Sequence, residues 1–420
     1  LILKTDKGTF TDDTNQIDEG ITFVKTAQNI KYFDGKTPAT TTRELFKTLE
    51  LTQMKVVGIT GTNGKTTTTA GIYSVLLDLG KKVALQGTRG FFINEARISE
   101  YSLTTPSILE TIAHIYRAKQ NGCEYFVMEV SSHAIAQNRI ENIPFVLKVH
   151  TNVTSDHLDF HGNVANYKAV KQSFFADVTP KLINKDENFQ VNVKNAQTYG
   201  VENPATFKVR AYNLRQGIEA VFTRFDEPYS FCSPLRGQFN LYNIMAVIAS
   251  VKMLTDANLQ SICDAVENFG GVGGRMEVVS ENPLVIVDFA HTHDGIAKVI
   301  DSFAGQDVVV VFGAGGNRDK TKRPLMGRAA CGAKRIYLTS DNPRDEDATD
   351  IIEQILSGIA NKEKVTVEPD RKKAIASALQ TLNENEVLLI LGKGDESTQE
   401  IHGVKYPFDD REVVKNLLLA

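Results

Sequence analysis

The segment "GITGTNGKTTTT", Gly58 to Thr69, sets two glycines three residues apart before a lysine and a run of threonines. That spacing suits a bound phosphate. Backbone N–H groups converge on an anion only where glycine lets the chain come close. A helix N-terminus behind the turn adds partial positive charge, and a lysine reaches the outer phosphates. Gly61, Thr62, Asn63, Gly64, Lys65, Thr66 and Thr67 form this candidate cradle, with the Thr66 hydroxyl as a ligand for Mg²⁺. The common G-x-x-x-x-G-K-[ST] pattern wants glycine at 59, where Ile59 stands, so the loop is a G-x-x-G-K-T variant. The plainer reading is a glycine-rich turn without a ligand. Lysine, threonine and the flanking strand and helix patterns together weigh against it.

A second group of reactive side chains follows. "MEVSSHAIAQNRI" places Glu129 and Ser131 at the end of an apolar run. Strand carboxyl ends face the ligand crevice in open α/β sheets, so Glu129 could share a metal with Thr66. Its bland alternative is a helix-capping acid. "HTNVTSDHLDFHG" sets His157 and His161 four apart, beside Asp156 and Asp159. A zinc site is one reading, but the H-E-x-x-H of a zincin is missing its glutamate. A second-metal or phosphate role is the other. "NYKAVKQSFF" carries Lys168 and Lys171, which on composition alone read as solvated helix charges.

These groups need a scaffold that brings strand ends together. "KVVGIT", "KVALQG", "YFVMEVS" and "VLKVHTN" read as buried strands separated by amphipathic helical stretches. "NFGGVGGR", Asn268 to Arg275, reads as a linker or hinge. Five more buried strands follow it: "LVIVDFA", "DVVVVFGA", "RIYLTSD", "KVTVEP" and "EVLLILG". The expected fold class is α/β in three domains. Residues 1–50 form a small N-terminal α/β domain, 51–271 a central P-loop ATPase-type parallel sheet, and 272–420 a Rossmann-like doubly wound domain.

The chain has 420 residues and a formal net charge of −4, with basic residues scattered, so nucleic acid is not an expected partner. The four cysteines are too far apart for a C-x-x-C pair and sit in apolar settings. Buried thiols in a reducing compartment are expected, and no apolar run is long enough to span a membrane. The cytoplasm and a monomeric state are the default expectations.

Taken together and in order, "GTNGKTTT", "TTP", "MEVSSHA", "TNVTSDHLDFHG", "GQFNLYN", "GRME", "DFAHTHD" and "KRPLM" resemble the Mur ligases over nearly the whole chain. That family comprises ATP-dependent enzymes that add amino acids to the peptide of bacterial peptidoglycan. The resemblance implies that Lys65 contacts the outer phosphates of ATP and that Thr66, Glu129 and His157 serve Mg²⁺. It implies a catalytic set of Lys65, Glu129, His157 and Lys171, the last matching a lysine that the family carbamylates and uses beside the metal. Thr104, Thr105, Ser131, Gln137 and Arg139 match contacts to the muramoyl peptide. Asn240 and Asn243 match residues near the ATP base, and Arg275, Asp288 and His291 match residues that close over the nucleotide.

"SDNPRDED" contains Asp341, Asn342, Pro343 and Arg344. Within the family a D-N-P-R box is similar to that of members adding meso-diaminopimelate, whereas lysine adders usually lack the arginine. The physics agrees. Meso-diaminopimelate carries a second carboxylate at its far end, which an arginine can grip bidentately, while it would repel the ammonium of lysine. By the same resemblance Arg318 serves that carboxylate, and Gly392 and Glu396 hold the distal ammonium. The implied acceptor is UDP-N-acetylmuramoyl-L-alanyl-D-glutamate. A β-turn is the bland reading of Asn-Pro. The chain departs from the family at Asp395, His293 and Asn317, where His, Pro and Asp are usual, and at Thr14 and Asn15 in a diverged D-S-R box. Its region before the phosphate loop is short for the family. Folylpolyglutamate synthase, built on the same plan, is disfavoured by the D-N-P-R box, and a nucleotide-switched binding protein leaves Glu129 and Lys171 without a purpose.

Overall fold

The computed structural model describes residues 1–33, 35, 37–99, 103–154 and 156–419, the side chains of Leu158 and Asp159 excepted. Ser155 and the Asp159 carboxylate of the histidine segment therefore lie outside the described residues. The chain divides into two compact units. The first holds Leu1–Asn213, Ile218–Ser233 and Asn240–Phe269; the second holds Leu214–Gly217, Pro234–Phe239 and Gly270–Ala420.

In the first unit the strand Lys55–Thr60 lies at the centre of a sheet, flanked by parallel neighbours Phe145–His150 and Tyr125–Glu129. Val56, Val57 and Ile59 are fully buried. Each such side chain contributes roughly 1.5–3 kcal/mol over an exposed one. Val83–Gly87 and Lys181–Asn184 extend the parallel core on either side. The sheet was expected to be parallel, and here the structure differs. Its eleven strands end in antiparallel pairs at both edges: Gly90–Ile93 with Ala96–Ser99, and Phe207–Asn213, Ile218–Arg224 and Glu227–Ser233 as a meander. In the meander, Ile218–Arg224 alternates buried and exposed residues over its first five positions and keeps one face wet, whereas the central strand is buried from Val56 to Thr60. The same alternation turns Cys232 outward between buried Phe231 and Ser233, correcting the expectation that every thiol is buried.

Residues before Lys55 form a four-stranded sheet, Ile2–Thr5, Gly8–Thr11, Ile21–Lys25 and Ala39–Thr41, followed by the helix Thr42–Thr48. Thr41 and Glu44 close that helix with a capping box. Leu3, Phe10, Val24, Leu45 and Phe46 share one apolar core with Val56, Ile112 and Phe126. The short first region is thus packed onto the central sheet.

The second unit holds a six-stranded sheet ordered Glu277–Glu281, Leu284–Asp288, Glu386–Leu391, Asp307–Phe312, Arg335–Leu338 and Val365–Val367, antiparallel only at its first pair. Strand periodicity splits its side chains between two cores. Ile286, Val310, Ile336 and Leu389 pack with the helices His293–Asp301, Lys322–Ala329 and Ala348–Leu356. Val287, Val309, Tyr337 and Leu388 pack with Arg371–Gln380 and Asp410–Leu419. This is the doubly wound arrangement expected. A hairpin, Thr398–Ile401 with Val404–Pro407, follows the last strand. His402 and Gly403 both take positive φ at its two-residue turn, the backbone that a tight hairpin favours.

Candidate active site

The loop after Lys55–Thr60 leads into the helix Lys65–Asp78 through Gly64 at φ 81°. Ser107, Asn163, Asn258, Thr292, Asp347 and Asp370 cap other helices with their side chains. The helix behind the loop has no side-chain cap. An uncapped helix N-terminus behind a glycine turn suits an anion. A Cβ on Gly64 would sit 2.3 Å from Asn243 Oδ1, and one on Gly61 would sit 1.9 Å from Thr151 Oγ1. Both positions therefore require glycine.

The loop is braced from the next strand end. Thr62 N–H donates to the Asn152 carbonyl at 2.8 Å, and Asn63 N–H donates to Asn152 Oδ1 at 2.9 Å. Thr151 Oγ1 donates to the Asn63 carbonyl at 2.6 Å. Tyr167 and Thr62 hydroxyls stand 3.0 Å apart. Lys65 Nζ curls over the loop, donating to the carbonyls of Gly61 and Thr62 at 2.9 and 2.8 Å.

Thr66 and Glu129 meet as expected, with the Thr66 hydroxyl donating to Glu129 Oε2 at 3.0 Å. Glu129 is buried, and Oε1 accepts from Thr88 N–H at 2.9 Å. Thr88 was missed in the sequence. The available signal was its place just past Gly87, at a parallel strand end beside Tyr125–Glu129. A hydroxyl and a carboxylate converging at a phosphate loop form an oxygen donor set suited to a hard divalent cation.

Thr105 Oγ1 donates to the Glu129 carbonyl at 2.9 Å, and Arg139 Nη1 donates to the Thr105 carbonyl at 3.1 Å. Ser131 N–H donates to Thr105 Oγ1, and the Thr104 and Thr88 hydroxyls are 3.0 Å apart. Thr104, Thr105, Ser131 and Arg139 are thereby tied to the acid. Gln137 stands apart at the end of the helix Ser132–Ala136, where its carbonyl accepts from Gln28.

The histidines stay within one aromatic cluster. His157 meets His133 edge-on at 4.7 Å between ring centres, and it lies 3.3 Å from Asp156 Oδ2. His161 is buried with Nε2 3.0 Å from the Ser132 hydroxyl. Among the described residues no group of three His, Cys, Asp or Glu side chains is placed to hold a metal ion.

Lys171 is not a solvated helix charge. It is 1% exposed, and its amine donates to the Gly61 carbonyl at 2.9 Å. Burial, with Lys65 nearby, lowers its pKa well below the usual lysine range. His150, paired in register with Thr60, is fully buried and stacks on Phe189 at 3.8 Å. Neither ring nitrogen has a hydrogen-bond partner among the described residues. Burial and Lys171 lower its pKa as well and keep it neutral.

In the helix Gln238–Leu254, Asn243 Nδ2 donates to Asn240 Oδ1 at 3.0 Å, and both side chains are buried. In the second unit Arg275 lies over the Phe289 ring at 4.2 Å, and His291 Nδ1 is 3.0 Å from the Phe289 carbonyl. Asp288 is buried and accepts from the N–H groups of Met276 and Ala290 at 2.8 and 2.7 Å. Burial pushes its carboxyl pKa up against that help.

The expected amino-acid residues of the second unit come together at its strand ends. Gly392 takes φ 113°, and a Cβ there would lie 2.6 Å from Asp341 Oδ2. Asn342 Nδ2 donates to Glu396 Oε2 at 2.8 Å, and buried Lys393 donates to the same oxygen at 3.0 Å. Glu396 Oε1 has no partner among the described residues. Arg344 Nη1 donates to the Gly316 carbonyl at 2.7 Å. A Cβ on Gly315 would stand 3.0 Å from Arg344 Nη1 and 3.7 Å from Arg318 Cγ, which places both arginines at one loop. Buried Arg323 holds that loop, donating to the Gly315 carbonyl and pairing with both oxygens of Glu346 at 2.9 Å. Its guanidinium holds the Glu346 carboxyl down to about 2. The site is thus a cation and an anion, each half-tied and half-open, beyond the ends of Arg335–Leu338 and Glu386–Leu391, the two strands that flank Asp307–Phe312. That pattern suits a ligand end carrying both a carboxylate and an ammonium group.

The Mur ligase middle domain matches residues 59–251, and the Mur ligase glutamate ligase domain matches residues 274–394. A Wolinella succinogenes protein named UDP-N-acetylmuramoyl-L-alanyl-D-glutamate–2,6-diaminopimelate ligase is 56% identical over 369 residues, covering 87% of this chain and 85% of that protein. A protein of the same name from Helicobacter pylori is 50% identical over 424 residues, covering 97% and 95%. A solved structure, again of a UDP-N-acetylmuramoyl-L-alanyl-D-glutamate–2,6-diaminopimelate ligase, is 26% identical. It covers 97% of this chain and 94% of its own, with a TM-score of 0.69.

Proposed function

The chain belongs to the Mur ligase family, and from that premise we propose that it joins meso-2,6-diaminopimelate to UDP-N-acetylmuramoyl-L-alanyl-D-glutamate with hydrolysis of ATP to ADP and phosphate. In this reading the γ-carboxylate of the acceptor's glutamate takes the terminal phosphoryl group of ATP, and ADP leaves. The amine of diaminopimelate attacks the resulting acyl phosphate, a proton is lost, and inorganic phosphate departs from the tetrahedral intermediate as the amide forms.

The chain's own groups fit these steps. Lys65 stands over the loop where the transferring phosphoryl would lie, and its charge opposes the charge that builds there. Mg²⁺, which neutralises phosphoryl oxygens when bound, would be held by Thr66 and Glu129, with His157 assigned to a second Mg²⁺ and Lys171, once carbamylated, to the metal. Burial favours the unprotonated form of the Lys171 amine, whose lone pair carbamylation needs, and the carbamate would add a carboxylate-like ligand beside the cation. Thr104, Thr105, Ser131, Gln137 and Arg139 are assigned to the acceptor. Residues 1–50 are assigned to its UDP end, 51–271 to ATP, and 272–420 to the incoming amino acid.

The observation that carries the choice of amino acid is Arg344 in the D-N-P-R box, with Nη2 left without a partner among the described residues. Arg318 stands beside it, and Glu396 offers an open oxygen for the ammonium. Among the described residues no helix is long and apolar enough to cross a membrane. We assign the enzyme to the cytoplasm as a monomer, where ATP and the nucleotide-linked precursor are made.

The test is product mass. Incubated with ATP, Mg²⁺, the acceptor and meso-diaminopimelate, the protein should yield an acceptor heavier by one diaminopimelate residue, with one ADP per product. ADP formed without that product would contradict the reading.

A further inference from the structure

Glu400 was not among the residues singled out by sequence, yet it touches the D-N-P-R loop with three different groups. Its N–H donates to Asn342 Oδ1 at 2.9 Å. Its carbonyl accepts from Arg344 N–H at 3.1 Å. Its carboxylate Oε2 accepts from Arg344 Nε at 3.2 Å. The hairpin that carries it is itself joined to the loop, since His402 N–H donates to the Arg344 carbonyl at 2.8 Å. Arg344 adopts φ 52°, a left-handed conformation costly for a residue with a side chain, so something must hold it there.

A free arginine side chain samples many rotamers, and a ligand that grips it must stop that motion. Here Glu400 ties Nε and the Gly316 carbonyl ties Nη1, while Nη2 has no partner among the described residues. The fork is already aimed, with part of it left open. The pair is partly exposed, at 24% for Arg344 and 31% for Glu400. Solvent therefore screens the direct charge attraction, and orientation is the larger effect.

We propose that Glu400 is a positioning residue for amino-acid selection: it orients Arg344 so that the open part of the guanidinium meets the distal carboxylate of the incoming diamino diacid. This rests on the reading of Arg344 given above. Glu400 itself touches no substrate. Because it occupies Nε and leaves Nη2 open, it aids the ligand and does not compete with it.

The test compares Glu400→Ala, Glu400→Gln and Arg344→Ala in the full-length enzyme, reading kcat and KM for meso-diaminopimelate together with thermal stability. Glu400→Ala should raise KM roughly three- to tenfold, the cost of immobilising one rotamer-rich side chain on binding, with kcat within about twofold. Glu400→Gln keeps an acceptor oxygen and should restore most of the affinity. Arg344→Ala should raise KM further, and Glu400→Ala made on top of it should add nothing. A Glu400→Ala enzyme with unchanged KM, beside an Arg344→Ala enzyme with raised KM, would overturn the role of Glu400 and leave the function intact. An Arg344→Ala enzyme with unchanged KM would overturn both. A fall in kcat and stability shared by the Ala and Gln variants would show a merely structural residue and also overturn the proposal.

Discussion

The phosphate loop of the first unit and the amino-acid site of the second are held in opposite ways. The loop is fixed through its backbone. Thr62 and Asn63 are bonded to Thr151 and Asn152, two glycines have no room for a Cβ, and the lysine beneath is almost wholly buried. The charged ends of the amino-acid site are oriented through side chains. Arg344 pairs with Glu400 at partly exposed positions, and partly exposed Glu396 pairs with buried Lys393 and Asn342. A phosphate is the same in every ATP-dependent reaction, so a rigid backbone cradle serves it. An amino acid must be told from its analogues, and charged side chains with open valences do that.

The largest expected effect is on the rigid side. Gly61→Ala puts a Cβ 1.9 Å from Thr151 Oγ1 and 3.0 Å from the Asn152 backbone. The loop must shift, and turnover should fall by about 10²-fold or more, since displacements near 1 Å cost that much in a positioned site. Near-normal turnover would show that the cradle is softer than described. The next effect is on the adaptable side. Arg344→Ala should raise the KM for meso-diaminopimelate by roughly 10- to 100-fold while the KM for ATP stays within about twofold, as loss of charge-assisted hydrogen bonds worth about 1.5–3 kcal/mol predicts. Equal losses for both substrates would dissolve the division between the two regions.

The smallest effect concerns stability alone. Burial holds His114 at about 4, beside Gln86 Oε1 at 2.7 Å. Its folded pKa is depressed, so the unfolded chain binds the extra proton as pH falls below about 6.5. Stability should drop between about pH 6.5 and 4 by up to about 3 kcal/mol. His114→Gln should flatten that slope in denaturant titrations at several pH values, with no change in turnover at neutral pH.

The two regions also differ in how much could be read from sequence. The G-x-x-G-K-T loop and its strand were legible because phosphate binding constrains residue type at fixed spacing. The parallel strands of the second unit were legible as unbroken β-branched runs, such as Asp307–Phe312. The meander from Phe207 to Ser233 was not, because its charged outward residues hide the strand pattern. Burial of Lys171 was equally hidden, since lysine is almost always exposed and only the fold places its amine under Gly61. Arg344 was legible as part of a motif. Glu400 was not, because its role depends on a hairpin returning across the motif fifty-six residues later.

The most direct measurement is phosphate release from ATP by the unmutated enzyme with the acceptor and Mg²⁺, adding meso-diaminopimelate, L-lysine or L-glutamate in turn. Release with meso-diaminopimelate alone is the predicted result. Equal release with lysine would contradict the account of the second unit, because it would mean that Arg344 does not select the carboxylate.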